Sequence, residues 1–183
     1  MANIYLIRHG EAAASFADHH DPGLSELGRQ QSKRTALQLE EVGPLSVFTS
    51  PLLRAQETAS FLAEAWNTPA KIDTRFAEVP TPSNLKFEDR PEWLNRVMGG
   101  TWQQLTAELQ SWRKTMIDAT LEFKSDCVVF SHFVAINVIV GAATGDQRLI
   151  SFRPANASIT LVSNTGGVLS VMYTGLEAKT KVN

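Results

Sequence analysis

Cysteine is nearly absent from this 183-residue chain: Cys127 stands alone, so no intrachain disulfide can form and no cysteine cluster is available for zinc. It lies in Cys127-Val128-Val129-Phe130 and is expected to be a small buried core residue, in a reducing, cytoplasmic setting. An excess of either charge is lacking too. The 17 basic and 19 acidic side chains leave a formal net charge of -2, which gives no reason to expect nucleic acid or an acidic membrane surface as a partner. Any bound anion must therefore be held by local cations. Long apolar runs are limited to one, Cys127–Thr144, which is apolar apart from Ser131, His132 and Asn137 and approaches the length of a membrane span. It divides into a strand (Cys127–Phe130), a polar break (Ser131-His132) and a buried helix (Val134–Ala143), so the soluble reading is preferred and no membrane partner is expected. At the N-terminus a strand begins almost at once, and Arg8 arrives before a signal-peptide core could form. With 43% hydrophobic and 20% charged residues, disorder is excluded; with no repeat or linker, residues 1–183 are expected to form a single domain.

Strand patterns alternate with helix patterns along the chain. Met1–Arg8 reads as the first strand and Gly10–Gly23 as a polar loop. A helix capped by Ser25 is expected to run to about Val42, where Gly43-Pro44 stops it. Leu45–Thr49 reads as a second strand, followed by a helix with Ser50 as its N-cap and Pro51 in its first turn, running to about Trp66. Lys71–Asp73 suggests a short third strand. Residues 75–100, with prolines at 80, 82 and 91 and the Gly99-Gly100 pair, form the least regular part and read as a lid-like excursion over the sheet edge. Thr101 is expected to cap a long helix carrying Trp102, Leu105, Leu109, Trp112 and Met116 on one face, with core or dimer packing as the reading of its tryptophans; a homodimer is thus a partner the sequence admits. Ser158–Ser163 and Val168–Tyr173, joined through Asn164-Thr165-Gly166-Gly167, read as a hairpin. The implied fold class is α/β: a three-layer sandwich whose mostly parallel central sheet has an antiparallel edge and helices on both faces.

Chemistry-bearing residues recur at one topological position. Arg8-His9-Gly10-Glu11 follows the apolar run Ile4-Tyr5-Leu6-Ile7, Thr49-Ser50-Pro51-Leu52-Leu53-Arg54 follows the second strand, and Ser131-His132 follows a later one. In a parallel sheet these strand ends emerge on the same edge, where open α/β sheets place their ligands. A fixed guanidinium, an imidazole and a glycine that allows close backbone approach suit an anionic substrate, and a phosphate is the expectation.

Leu6-Ile7-Arg8-His9-Gly10-Glu11 resembles the signature of the histidine phosphatase superfamily, the phosphoglycerate mutase-like proteins. The resemblance extends in order to Leu24-Ser25-Glu26-Leu27-Gly28-Arg29-Gln30-Gln31, to Ser50-Pro51-Leu52-Leu53-Arg54-Ala55-Gln56-Glu57-Thr58-Ala59, and to Ser131-His132. It implies that His9 is a nucleophile forming a phosphohistidine, that Arg8 and Arg54 clamp the phosphoryl oxygens, and that His132 adds a further donor. The physics is compatible, because a histidine among cations resists its own protonation and keeps a lone pair available. The resemblance further implies a glutamate acid after the third strand, and Glu78 matches by position. Glu11, beside the nucleophile, is expected to order its loop or pair with a cation instead. No metal or other cofactor is implied, because the arginines supply positive charge; His19-His20-Asp21 is not read as a metal site, since adjacent histidines do not easily share one ion.

Several departures bear on the activity. Val79-Pro80-Thr81-Pro82 follows Glu78 where many members carry a stretch with glycine and tryptophan. Ser15 stands where mutases usually carry an asparagine that touches phosphate; it can still donate one hydrogen bond to phosphate, but it argues against a mutase pocket. Phe133 replaces the usual glycine after His132, and its ring is expected to narrow the pocket. The chain also lacks room for the extended mutase lid. The leading expectation is a metal-independent phosphomonoesterase acting on a small phosphorylated metabolite or a phosphoprotein, with Lys86, Arg90 and Arg96 as candidates for reading the rest of the substrate. Phosphoglycerate mutase-type transfer is the first alternative, and a non-catalytic phosphate-binding or scaffold protein on the same fold the second.

Overall fold

The computed structural model of the chain describes residues 1–14 and 21–178. The apolar run at the N-terminus forms strand β1 (Ala2–Arg8) at the heart of a six-stranded sheet. The others are β2 (Ser46–Thr49), β3 (Lys71–Ile72), β4 (Cys127–Ser131), β5 (Ile159–Thr165) and β6 (Val168–Tyr173), in the order β3-β2-β4-β1-β5-β6. β3, β2, β4 and β1 are mutually parallel, whereas β5 and β6 complete the sheet antiparallel to their neighbours.

Side chains alternate across this sheet, and both faces are covered. Ile4 and Leu6 of β1 and Cys127 and Val129 of β4 join one cluster, with residues of α4 (Ala107–Glu122) and α5 (Phe133–Thr144). Ile7, Val128 and Phe130 point the other way, into a cluster with Ala36 and Leu39 of α1 (Glu26–Leu39) and Ala59 and Leu62 of α2 (Leu53–Ala65). A strand buried on both faces favours apolar residues on both, which is why β4 reads as a continuous apolar run up to Ser131, whose hydroxyl is satisfied by the Phe76 carbonyl. The fold is the expected α/β sandwich. Among the described residues no helix is long and apolar enough to cross a membrane. Cys127 is buried, and that burial pushes its thiol up to about 12.

Local detail departs from the sequence reading in four places. Ser25 does cap α1, accepting from the Gly28 amide at 3.0 Å, but the helix ends at Leu39 in a turn closed by Val42 N–H on Leu39 C=O. Ser50 is not the N-cap of α2. The helix starts at Leu53, and its first amide donates to the Asp21 carboxylate, 3.0 Å from each oxygen, so a distant loop supplies the cap. Thr101 caps only a short 3₁₀ turn, Trp102–Gln104; α4 begins afterwards, capped by the Thr106 side chain. Trp102 and Leu105 are therefore not on its face, although Trp102 is fully buried in the core and Trp112 packs against it. Finally, the excursion at 75–100 contains a regular helix, α3 (Arg90–Met98), with Pro91 in its first turn and Trp93 turned into the core.

Two glycines set how closely the loop after β1 lies on α1. A Cβ on Gly28 would overlap the Glu11 carbonyl oxygen, and one on Gly10 would lie 2.5 Å from the Gly28 carbonyl oxygen. The same contact is stitched by Ser25 N–H to Glu11 C=O at 2.9 Å, Ser25 Oγ–H to the Glu11 carboxylate at 2.8 Å, and Glu11 N–H to Gln31 Oε1 at 2.9 Å. Glu11 thus orders its loop. Replacing Gly28 by Ala tests this packing: helix propensity alone favours alanine by about 1 kcal/mol, while overpacking against backbone costs about 1–3 kcal/mol. We expect Gly28→Ala to lower stability in urea denaturation, and a gain in stability would show that the loop can move aside.

Candidate active site

The register of the sheet brings three loops together. Arg8 pairs with Ser131 and Thr49 with Phe130, so β1, β2 and β4 end side by side. The pairing continues one residue past the strands, with His9 N–H on Ser131 C=O at 3.0 Å and Ser50 N–H on Phe130 C=O at 2.9 Å. His9, Ser50 and His132 consequently leave neighbouring strands at one level of the sheet edge. Arg54 follows one turn later on α2. Thr58, four residues further along the same helix face, accepts from Gly10 N–H at 3.0 Å and donates to Arg54 C=O at 2.7 Å. Glu57 fastens the next loop, accepting from Leu24 N–H at 2.6 Å.

His9 is 4% exposed, and its Nδ1 lies 2.7 Å from the Gly10 carbonyl oxygen. A carbonyl can only accept, so Nδ1 carries the proton and Nε2 carries the lone pair. Arg54 Nε–H donates to that Nε2 at 3.2 Å. Burial, reinforced by the charges of Arg54 and Arg8, holds the imidazole well below its ordinary range, so His9 is neutral at pH 7. His132 is fully buried, its ring centroid 5.2 Å from that of His9, and burial followed by Arg54, His9 and Arg8 depresses it likewise. Its Nε2 is 2.7 Å from Ser50 Oγ, an oxygen that accepts from Leu52 N–H at 3.2 Å, while His132 Nδ1 has no hydrogen-bond partner among the described residues.

Both guanidiniums are almost completely buried, Arg8 at 6% and Arg54 at 1% exposed. Burial pushes each down to about 10, opposed in both cases by Glu78, so both remain cations at neutral pH. Arg54 also lies 3.6 Å from the Asp21 carboxylate. Arg8 donates to Pro154 C=O at 2.9 Å and stacks over the Phe133 ring, 5.1 Å from its centroid. The Phe133 ring, expected to narrow the pocket, thus lies buried against this arginine.

Glu78 is half-buried rather than a solvated loop carboxylate. It accepts from Val134 N–H and Ala135 N–H, each at 3.2 Å, and from its own neighbour Val79 N–H at 2.9 Å. It therefore caps the first turn of α5, where His132 makes no side-chain cap, and a negative charge there is favoured by the helix dipole. Its charge is felt by Arg8, Arg54 and Arg90. Of the three cations expected to read the substrate, Lys86 and Arg96 are exposed; Arg90 is half-buried, with Nε–H on Thr81 Oγ1 at 2.6 Å. Ser15, His19 and His20 lie outside the described residues.

Arg8, His9, Arg54, Glu78 and His132 are thus brought to one place. Ser50, Thr58, Asp21 and the Pro154 carbonyl were not foreseen as partners in it. Thr58 carried a readable signal, the four-residue spacing from Arg54 within one helix. The others carried none, since each partnership joins distant segments. A neutral imidazole whose lone pair faces fixed cations can attack an electrophilic phosphorus, and the cations can stabilise the charge that accumulates there.

Comparison with known proteins agrees with this geometry. Residues 4–174 match the family model of the histidine phosphatase superfamily (branch 1). A probable phosphoglycerate mutase, GpmB, of Erwinia tasmaniensis is 30% identical over 124 residues, 66% of this chain and 52% of that protein; the chain spans about half the length of such curated relatives. Among solved structures, Bacillus stearothermophilus YhfR superposes with a TM-score of 0.76 at 21% identity, covering 94% of this chain and 96% of that one. A phosphoserine phosphatase mutant of Entamoeba histolytica, complexed with phosphoserine, gives a TM-score of 0.71 at 22% identity over 95% and 96% of the two chains. A mycobacterial glucosyl-3-phosphoglycerate phosphatase gives 0.72 at 20% identity over 93% and 97%. These structures share the fold; the family match over nearly the whole chain, together with a buried Arg-His pair at the sheet edge, identifies this protein as a member of the histidine phosphatase superfamily.

Proposed function

We propose that this protein is a metal-independent phosphatase that hydrolyses a phosphomonoester through a phosphohistidine on His9. The observation that carries the proposal is the fixed tautomer of His9: Nδ1–H is spent on the Gly10 carbonyl, which leaves the Nε2 lone pair directed at the arginine cluster. In the first step Nε2 forms a bond to phosphorus as the ester P–O bond breaks, and the departing alkoxide takes a proton from Glu78. In the second, water attacks phosphorus, Glu78 takes the proton back, and the P–N bond breaks to return neutral His9 and inorganic phosphate. Arg8 and Arg54 hold the phosphoryl oxygens, and His132 contributes a donor through Nδ1 when the Ser50 hydroxyl donates to Nε2. Electrostatic donors of this kind are each worth on the order of 100- to 1000-fold in rate. Ser15 is proposed as an additional phosphate contact. Two of the fold neighbours are named for glucosyl-3-phosphoglycerate and phosphoserine, both carboxylate-bearing phosphomonoesters. A small phosphorylated metabolite of that kind is the proposed substrate class, with Arg90, whose charge couples to Arg54 and Glu78, as the cation that reads its carboxylate.

The deciding experiment is hydrolysis of p-nitrophenyl phosphate in excess EDTA, with acid-labile phosphate on the protein followed in parallel. Wild type should release phosphate and carry the label, and His9→Ala should do neither. Release without a labile phosphoenzyme would sink the phosphohistidine route. Absence of turnover across a panel of phosphomonoesters would favour the scaffold reading, and isomerisation of 3-phosphoglycerate in place of hydrolysis would favour the mutase.

Glu78→Gln should slow alkyl phosphates by about 100-fold or more, the range of a general acid, while p-nitrophenyl phosphate, whose leaving group needs no proton, loses far less. Equal losses on both would remove Glu78 from the acid role.

The depressed basicity of His9 sets the acid limb of the pH profile. Activity requires the neutral imidazole, so kcat/KM should stay on its plateau below pH 6.5 and fall only as pH drops through the lowered value. Arg54→Gln removes one cause of the depression, so the limb should move to higher pH in addition to the loss of rate. A limb unmoved in that variant would leave burial and Arg8 as the causes.

A further inference from the structure

Arg8 is held by neutral contacts. One guanidinium nitrogen donates to the Pro154 carbonyl at 2.9 Å, the group lies over the Phe133 ring, and Nε is buried without a partner among the described residues. The direction in which Arg8 points therefore depends on where the Pro154 carbonyl stands. Pro154 lies in the irregular connection between α5 and β5, and proline has no N–H with which to fix its own register. Its neighbours fix it instead. Ala155 N–H donates to Leu176 C=O at 2.9 Å, Ala178 N–H donates to Arg153 C=O at 2.8 Å, and Arg153 N–H donates to the Glu177 carboxylate at 3.1 Å. These bonds flank Pro154 on both sides, and Pro154 and Glu177 sit opposite each other in an antiparallel bridge. The strap formed by residues 176–178, just beyond β6, buries little of itself: Leu176 is 79% exposed and Glu177 is exposed too. Its main-chain bonds to 153–155 are thus its principal attachment, and it does not serve to fill the core.

We propose that the strap Leu176–Ala178 is a positioning element for Arg8, holding the Pro154 carbonyl where it aims the guanidinium at the bound phosphoryl group. This rests on the reading of Arg8 as a phosphate clamp. A guanidinium fork gains most of its strength from two aligned N–H bonds, so a loosened anchor weakens anion binding without removing any charge. The strap touches neither substrate nor His9 directly. The same connection does grip the backbone beside the nucleophile, through Ala157 N–H on His9 C=O at 3.2 Å and Arg8 N–H on Ser158 C=O at 3.2 Å. A test must therefore distinguish action through Arg8 from a general loosening of the edge.

A double-mutant cycle does so. Orthovanadate affinity is measured by calorimetry for wild type, for Glu177→Ala/Ala178→Pro, for Arg8→Ala, and for the three changes combined. Glu177→Ala removes the acceptor for Arg153 N–H, and Ala178→Pro removes the donor to Arg153 C=O. The strap variant should bind vanadate about tenfold more weakly than wild type, with a raised KM for p-nitrophenyl phosphate and a smaller change in kcat, while in the Arg8→Ala background the same changes should alter affinity by less than about twofold. A full loss in both backgrounds would assign the strap a merely structural role and overturn the proposal. Undiminished affinity in the folded strap variant would overturn it as well. Where the double change prevents folding, Glu177→Ala alone is carried through the cycle with the same two outcomes. If wild type itself fails to bind vanadate, the phosphate-site reading falls and the positioning role falls with it.

Discussion

Everything at the sheet edge depends on a neutral histidine kept beside two buried guanidiniums. Like charges so close, away from water, would be severely destabilised if the imidazole were protonated, and the arginines do not lose their protons at neutral pH. The histidine is the member that yields. The Gly10 carbonyl then decides which nitrogen keeps the proton, and so which lone pair faces the cations. One backbone hydrogen bond of 2.7 Å, made within two residues of the chain, converts a positive cluster into an arrangement with a nucleophilic centre. The proposed chemistry follows from that conversion: the same charges that suppress protonation of His9 are available to a phosphoryl group.

That cluster is assembled largely by uncharged means, since abundant carboxylates would cancel it, although the Asp21 carboxylate does stand 3.6 Å from Arg54. The structure uses main-chain carbonyls, hydroxyls and an aromatic ring. Arg8 has the Pro154 carbonyl and Phe133, His132 has Ser50, and the Gly10 amide has Thr58. The carboxylate of Glu78 is held by amides at the start of α5, from where its charge acts on both arginines. Glycine contributes by omission: Gly10 and Gly28 let the loop after β1 lie directly on α1, which removes slack from the segment that carries His9.

Legibility in the sequence followed the range of the interactions. The alternation of strands and helices, the antiparallel hairpin closed by Gly166-Gly167 with both residues at positive φ, and the Ser25 cap are local, and residue order alone shows them. Convergence of Arg8, Arg54 and His132 was also readable, because parallel strands place their ends on one edge. The start of α2 was not. Ser50 has the side chain of a cap, but a tertiary partner, His132, competes for its hydroxyl, and Asp21 arrives from a distant loop to take over the capping. The helix expected from Thr101 was delayed for a similar reason, since Trp102 is drawn into the core and a 3₁₀ turn intervenes before Thr106 begins the regular helix.

What residue order determined by itself was a set of chemical groups and their topological address: Arg8, His9 and His132 at strand ends, Arg54 in the first turn of a helix, and Glu78 in the segment after the third strand. These depend on periodicity and local capping, which act over a few residues. Only the tertiary structure decided their states. The neutrality of His9 beside Arg54, the stacking of Arg8 on Phe133, the seat of Glu78 on the first turn of α5, and the hold of residues 176–178 on the Pro154 carbonyl all follow from burial and from partners far away in the chain. Protonation and orientation respond to the local dielectric and to fixed dipoles, and neither exists until the layers have closed around the site.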